Sequence, residues 1–187
     1  MESLNPIEIT RRWIVSMVIG LDLCPFAKGV FDADLIRYTV SEASDASALL
    51  VDLTFEMQTL VASRRESVET SFLIHPIVFG NFLDFNDFLG VAENLVLDLG
   101  LSGIIQILGF HPNYQFHGTD PEAPENYTNR SPYPMIHLLR EDSISEIAGN
   151  PKDLAEIPRR NIEKLKKMGA KQILERLAAV YSKPTGD

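Results

Sequence analysis

The chain has 187 residues, 45% of them hydrophobic and 23% charged, and its 17 Lys and Arg against 26 Asp and Glu leave a formal net charge of −9. That composition excludes a protein built to grip phosphate backbones, and a single cysteine, Cys24, excludes an internal disulfide framework. A chain of this length buries roughly two thirds of its unfolded surface without staples, so residues 1–187 are expected to form one domain.

The most apolar run, Trp13 to Leu21, has nine residues, whereas a membrane span needs about 20. Glu2 and Glu8 precede it, which is wrong for a secretory signal. A cytoplasmic protein with neither a nucleic-acid nor a membrane partner is therefore expected.

In chain order, Asn5-Pro6 is a helix-start signal, and Ile9, Trp13, Met17 and Leu21 recur every four residues, which predicts a helix over 6–20. Pro25 and Gly29 then predict a loop over 22–33. The β-branched and aromatic run 35–40 predicts a strand, although its alternation is imperfect. Leu49, Leu53, Met57 and Leu60 predict a helix over 44–63 capped by Ser44 or Asp45. A strand over 70–74 stops at His75-Pro76. A helix capped by Asp84 and ended by Gly100 follows, and a third strand over 104–110 stops at His111-Pro112. Residues 113–134, entered through Pro112 and carrying four further prolines and several aromatic side chains, form a connection far longer than the usual 4–6 residues; an ordered, functional loop over the site is expected. A fourth strand over 135–139, a short helix over 143–148 and two terminal helices, 159–168 and 170–181, complete the pattern.

This order predicts an α/β (or α+β) domain. Its core is a mixed four-stranded sheet with helical crossovers, flanked by an N-terminal helix and two C-terminal helices.

Cys24-Pro25-Phe26-Ala27 resembles the Cys-Pro-Phe redox turn of glutaredoxin and omega-class glutathione-transferase relatives. In those families the cysteine follows the first strand, whereas Cys24 precedes every strand predicted here. A wider likeness rests on His75-Pro76, Phe110-His111-Pro112, Tyr114-Gln115-Phe116, Asn129-Arg130-Ser131-Pro132-Tyr133-Pro134 and His137-Leu138-Leu139-Arg140-Glu141, with Leu23-Cys24-Pro25-Phe26-Ala27 near the start. Over nearly its whole length the chain resembles an uncharacterised bacterial family, a domain of unknown function. The resemblance implies no reaction. His117 stands where that family is expected to carry a small residue, which argues against an essential role for it.

Ligand sites in open α/β sheets form beyond the carboxyl ends of the strands, where His75 and His111 each end a strand before a proline. They are the candidate acid–base groups. A guanidinium meets carboxylate or phosphate through paired hydrogen bonds, so Arg130, with Tyr114, Asn129, Ser131, Tyr133 and His137, is the candidate set for holding a small anionic substrate. The bland alternative has Arg130 pairing with Asp120, Glu122 or Glu125 to hold the loop. No paired-cysteine or helical histidine spacing points to a metal and no glycine-rich phosphate loop is present, so the sequence leaves the cofactor unassigned. Cys24 between Leu23 and Phe26 is expected to be an inert thiol. The basic stretch 159–176 reads as the solvated face of amphipathic helices. The expected function is a small enzyme acting on a small anionic molecule; the alternative is a non-catalytic binding or regulatory domain using the same residues.

Overall fold

The computed structural model describes residues 5–148 and 151–182. Strands β1 (Ile36–Val40), β2 (Thr70–Ile74), β3 (Ile105–Phe110) and β4 (Met135–Arg140) form one sheet in the order β1-β2-β4-β3. β1 and β2 are parallel, and β4 is antiparallel to both β2 and β3, so β1, β2 and β3 all point the same way. Helices α3 (Ala46–Ala62) and α4 (Phe82–Asp98) are the crossovers between those parallel strands. Both pack on one face, where Leu49, Leu53, Met57 and Leu60 of α3 and Phe85, Phe88 and Ala92 of α4 meet Leu73, Ile136 and Leu138 of the sheet. The opposite face meets α1 (Pro6–Trp13) through Ile9 and Trp13, and α6 (Pro151–Met168) and α7 (Ala170–Val180) contribute Leu165 and Ile173 to the same core. The fold is thus α/β, a mixed four-stranded sheet between two helical layers.

The start signals act through their side chains. Asn5 Oδ1 accepts from the Ile7 N–H at 2.9 Å, and Asp45 Oδ1 from the Ala48 N–H at 2.9 Å. For α4 the cap is Asn81 rather than Asp84, because Asn81 Oδ1 takes the N–H groups of Leu83 and Asp84. Asp84 instead lies in the first turn, where its charge complements the helix dipole.

Four further sequence expectations are corrected. The first helix is α-helical only to Trp13; Ile14–Ile19 continue it as a π-helix, seen in the Gly20 N–H to Val15 carbonyl bond at 2.9 Å. Residues at four-residue spacing drift about 40° per step around an α-helix, and the wider turn brings Ile9, Trp13, Met17 and Leu21 back into one core. The expected loop 22–33 contains a helix, α2 (Ala27–Asp32), which tolerates Gly29. The helix expected from Arg159 begins at Pro151 and runs through Pro158, whose missing N–H removes one backbone bond without ending it. Similarly α5 (Glu141–Ala148) starts directly from β4, two residues earlier than expected.

Candidate functional site

Parallel β2 and β3 deliver His75 and His111 to the same edge of the sheet and to the same face, that of α4. Both rings pack against Phe85, with centroids 5.5 and 5.4 Å from it. Gly109 makes this possible: a Cβ there would stand 2.5 Å from Leu89 Cδ1 and 3.0 Å from Phe85 Cε1, so glycine lets α4 lie this close to β3 without displacing either side chain. Both histidines are fully buried.

Their nitrogens are used differently. His111 Nδ1 accepts from the Asn113 N–H at 3.0 Å, so its proton sits on Nε2, which donates to the Phe79 carbonyl at 2.9 Å. His75 faces the Val78 carbonyl with Nδ1 at 3.2 Å, which places its proton there and leaves Nε2 a buried acceptor with no partner. Burial pulls His75 down to about 4 against the opposing bond to Val78, and burial lowers His111 as well. Both rings are therefore neutral at pH 7.

The carbonyls they hold belong to a strained turn. Phe79 has φ +61°, a left-handed conformation that a bulky side chain adopts at a cost of about 1–2 kcal/mol. Its ring packs on Phe88 at 4.7 Å and edge-on to His75 at 6.2 Å. The two imidazoles and this packing hold the turn in place, and such strain concentrates where backbone geometry serves a ligand.

Residues 113–134 run around the same edge from the α4 face to the opposite face. Tyr114 packs on Phe82 at 5.0 Å, while the 3-10 turn Pro124–Thr128 puts Tyr127 into the core that holds Trp13 and Leu165. Asn126, fully buried, organises the segment: Oδ1 accepts from the Phe116 N–H and the Thr119 hydroxyl, and Nδ2 donates to the Asp120 and Pro121 carbonyls. Trp13 Nε1 donates to the Arg130 carbonyl at 3.0 Å.

The Arg130 guanidinium donates from Nε to the Tyr114 carbonyl at 3.1 Å and from Nη2 to the Pro121 carbonyl at 2.6 Å, and covers the Tyr127 ring at 4.5 Å. It does not pair with Asp120, Glu122 or Glu125; the last of these meets Lys166. Nearby, the Asn129 carbonyl accepts from the His111 N–H, Asn129 Nδ2 reaches the Gly109 carbonyl at 3.4 Å, and the Ser131 hydroxyl donates to the Tyr133 carbonyl at 2.6 Å. Tyr133 is half-buried against the core of the α1 face.

His137 is not brought into this group. It projects on the other face of the sheet, stacked on Phe72 at 3.9 Å and bonded to the Thr70 hydroxyl, and desolvation holds it well below the ordinary histidine range. His117 is exposed.

Two groups escaped the sequence reading. Asn126 sits in a loop, where no periodicity marks a buried amide. Glu56 is the other: 1% exposed, its carboxylate accepts from Nε and Nη2 of Arg37 and from the Thr39 and Ser71 hydroxyls. The available signal was a lone acid on the apolar face of α3 opposite the polar alternation Arg37-Thr39 of β1.

Cys24 is half-buried. Burial raises its thiol, outweighing the opposing bonds from the Phe26 and Ala27 backbone at the start of α2. Native protein at pH 7 is accordingly expected to react with a thiol reagent at least about tenfold more slowly than urea-unfolded protein; equal rates would disprove the inert thiol.

Among the described residues no three His, Cys, Asp or Glu side chains come together as a metal site, and no helix is long and apolar enough to cross a membrane. No curated protein and no solved structure matched the chain. Residues 5–175 match the family model described as protein of unknown function (DUF1415), and the chain belongs to that family.

Proposed function

We propose that the edge carrying His75 and His111 binds a small molecule with an anionic group. The observation that carries this reading is the buried, unpartnered Nε2 of His75, since an orphan acceptor in such a setting costs about 1–3 kcal/mol that a bound donor recovers. His75 is then the group that accepts from the ligand, and His111, with both nitrogens committed, is a positioning residue that fixes the Phe79 turn. Arg130, with Nε and Nη2 held by carbonyls, offers Nη1 to the anionic group, and Tyr114, Asn129, Ser131 and Tyr133 shape the loop around it.

The burial of His75 supports binding rather than acid–base turnover. A histidine held near 4 is a weak base at neutral pH, and proton transfer is most efficient when the group titrates near the working pH.

The test is thermal unfolding of wild type and His75→Asn with a panel of small carboxylates and phosphate esters and their uncharged amide counterparts. Asparagine keeps a donor for the Val78 carbonyl and deletes Nε2. At least one anion is expected to raise the wild-type midpoint by about 2 °C or more, as saturating ligand must, with no rise in His75→Asn. Flat responses to the whole panel, or an equal rise in the variant, would overturn the reading, and equal rises with the amides would overturn its anionic part.

A further inference from the structure

A solvent-facing helix surface ordinarily carries charge, and α3 does not. Along its outer side run Ser47, Val51, Phe55, Gln58 and Ala62, all exposed, with Val51 at 68% and Phe55 at 62%. The helix has two charged residues, and neither belongs to that stripe: Glu56 is buried with Arg37, and Asp52 accepts from the Ser41 hydroxyl. The neighbouring helix α4 carries Asp84, Asp87, Glu93 and Asp98 and no cation.

The ends of the stripe differ in sign. Glu42 and Asp45 are exposed at the start of α3, and Arg64 is exposed just past its end, with its Nε 3.5 Å from Glu66. A chain of net charge −9 repels its own copy over most of its surface. The α3 stripe carries no charge of either sign and adds nothing to that repulsion. A two-fold axis near Thr54 and Phe55 sets two copies of α3 antiparallel, which brings Asp45 opposite Arg64, Ser47 opposite Ala62, and Val51 opposite Gln58. A parallel arrangement would instead set like charges together at both ends. The small, uncharged residues at Ser47 and Ala62 permit close approach at a shallow crossing angle.

We propose that the chain forms a two-fold homodimer through the outer face of α3, packed antiparallel on itself around Val51 and Phe55. The uncharged centre with oppositely charged ends complements itself, whereas a basic partner would find no acid in the stripe to recognise. The acids of α4 confine the contact to α3, because a two-fold contact across α4 would set them against their own copies.

Sedimentation of the full chain is expected to give a particle of twice 20.9 kDa at micromolar concentration. Phe55→Glu should raise the dissociation constant at least about 100-fold while leaving the circular dichroism spectrum unchanged, since Phe55 is exposed within the chain. The geometry has its own test in a Cys24→Ser background. Under mild oxidation the double variant Ser47→Cys/Ala62→Cys should cross-link between chains, and neither single variant should. A monomer throughout the concentration range, a dimer that survives Phe55→Glu with wild-type affinity, or efficient cross-linking by either single variant would overturn the proposal.

Discussion

Replacing Arg37 with alanine should lower stability at pH 7 by about 3 kcal/mol, the cost of leaving a buried carboxylate without its cation. Among the described residues Glu56 has no second cation to turn to; it would keep only the Thr39 and Ser71 hydroxyls. In the wild type, burial pushes its carboxyl up, and the bonds from Arg37, Ser71 and Thr39 more than reverse that, holding it below the ordinary range. A group depressed by folding contributes stability above its unfolded pKa and loses it as pH falls through the folded value. Without Arg37 the sign inverts: desolvation dominates, the folded carboxyl rises above its unfolded value, and the variant recovers stability as pH falls and Glu56 takes up a proton. The difference between wild type and Arg37→Ala should therefore shrink between pH 7 and pH 4. His75 and His111, both depressed by burial, also lose stability as pH falls below 6.5, with His75 lost as pH passes about 4, but this is common to the two proteins and cancels. Urea unfolding at the two pH values measures the difference; a gap that widens toward pH 4 would contradict the assignment. Replacing Arg37 and Glu56 together by leucine should cost less than Arg37→Ala alone, because no buried charge is then left unpaired.

The sheet was legible because its signals are local. Each strand is a short run in which apolar residues predominate or alternate, and His75-Pro76 and His111-Pro112 stop two of them at the carboxyl end, so helical crossovers put both histidines at one edge. The π-helix was not legible as such, although the strict four-residue recurrence of Ile9, Trp13, Met17 and Leu21 was the trace it left, since an ordinary α-helix would spread those four positions over about 120° of its circumference. The imperfect alternation of β1 has a similar origin. Arg37 and Thr39 occupy the face that meets α3, and they are polar there because Glu56 lies opposite. Neither sequence pattern nor charge placed His137 on the far side of the sheet from His75. That follows from register, in which Phe72 pairs with His137, and register depends on contacts between strands far apart in the chain.

Asn126→Ala should loosen the whole connection between β3 and β4 while leaving the sheet intact. Ordering such a segment costs on the order of 1–2 kcal/mol per residue in backbone entropy, and few of its bonds belong to strands or long helices. What offsets the cost is a small set of anchors: Trp13 on the Arg130 carbonyl, Tyr127 in the core, Arg130 across Tyr114 and Pro121, and Asn126 at the centre. Asn126 uses its full amide capacity toward four partners, two of them the Asp120 and Pro121 carbonyls and one the Phe116 N–H, all gathered by one buried side chain. Alanine removes every one of these bonds and leaves two carbonyls, an N–H and a hydroxyl without their buried partner, so the expected loss is about 3 kcal/mol, more than the roughly 1–2 kcal/mol expected for Arg130→Ala, whose partners can turn to water. Amide exchange should accelerate at least about tenfold across residues 113–128 in the variant, with β2 and β4 protected as before. Exchange in the wild type already as fast across 113–133 as at residues 180–182 would show that these anchors hold nothing, and the ligand reading of Arg130 would fall with them.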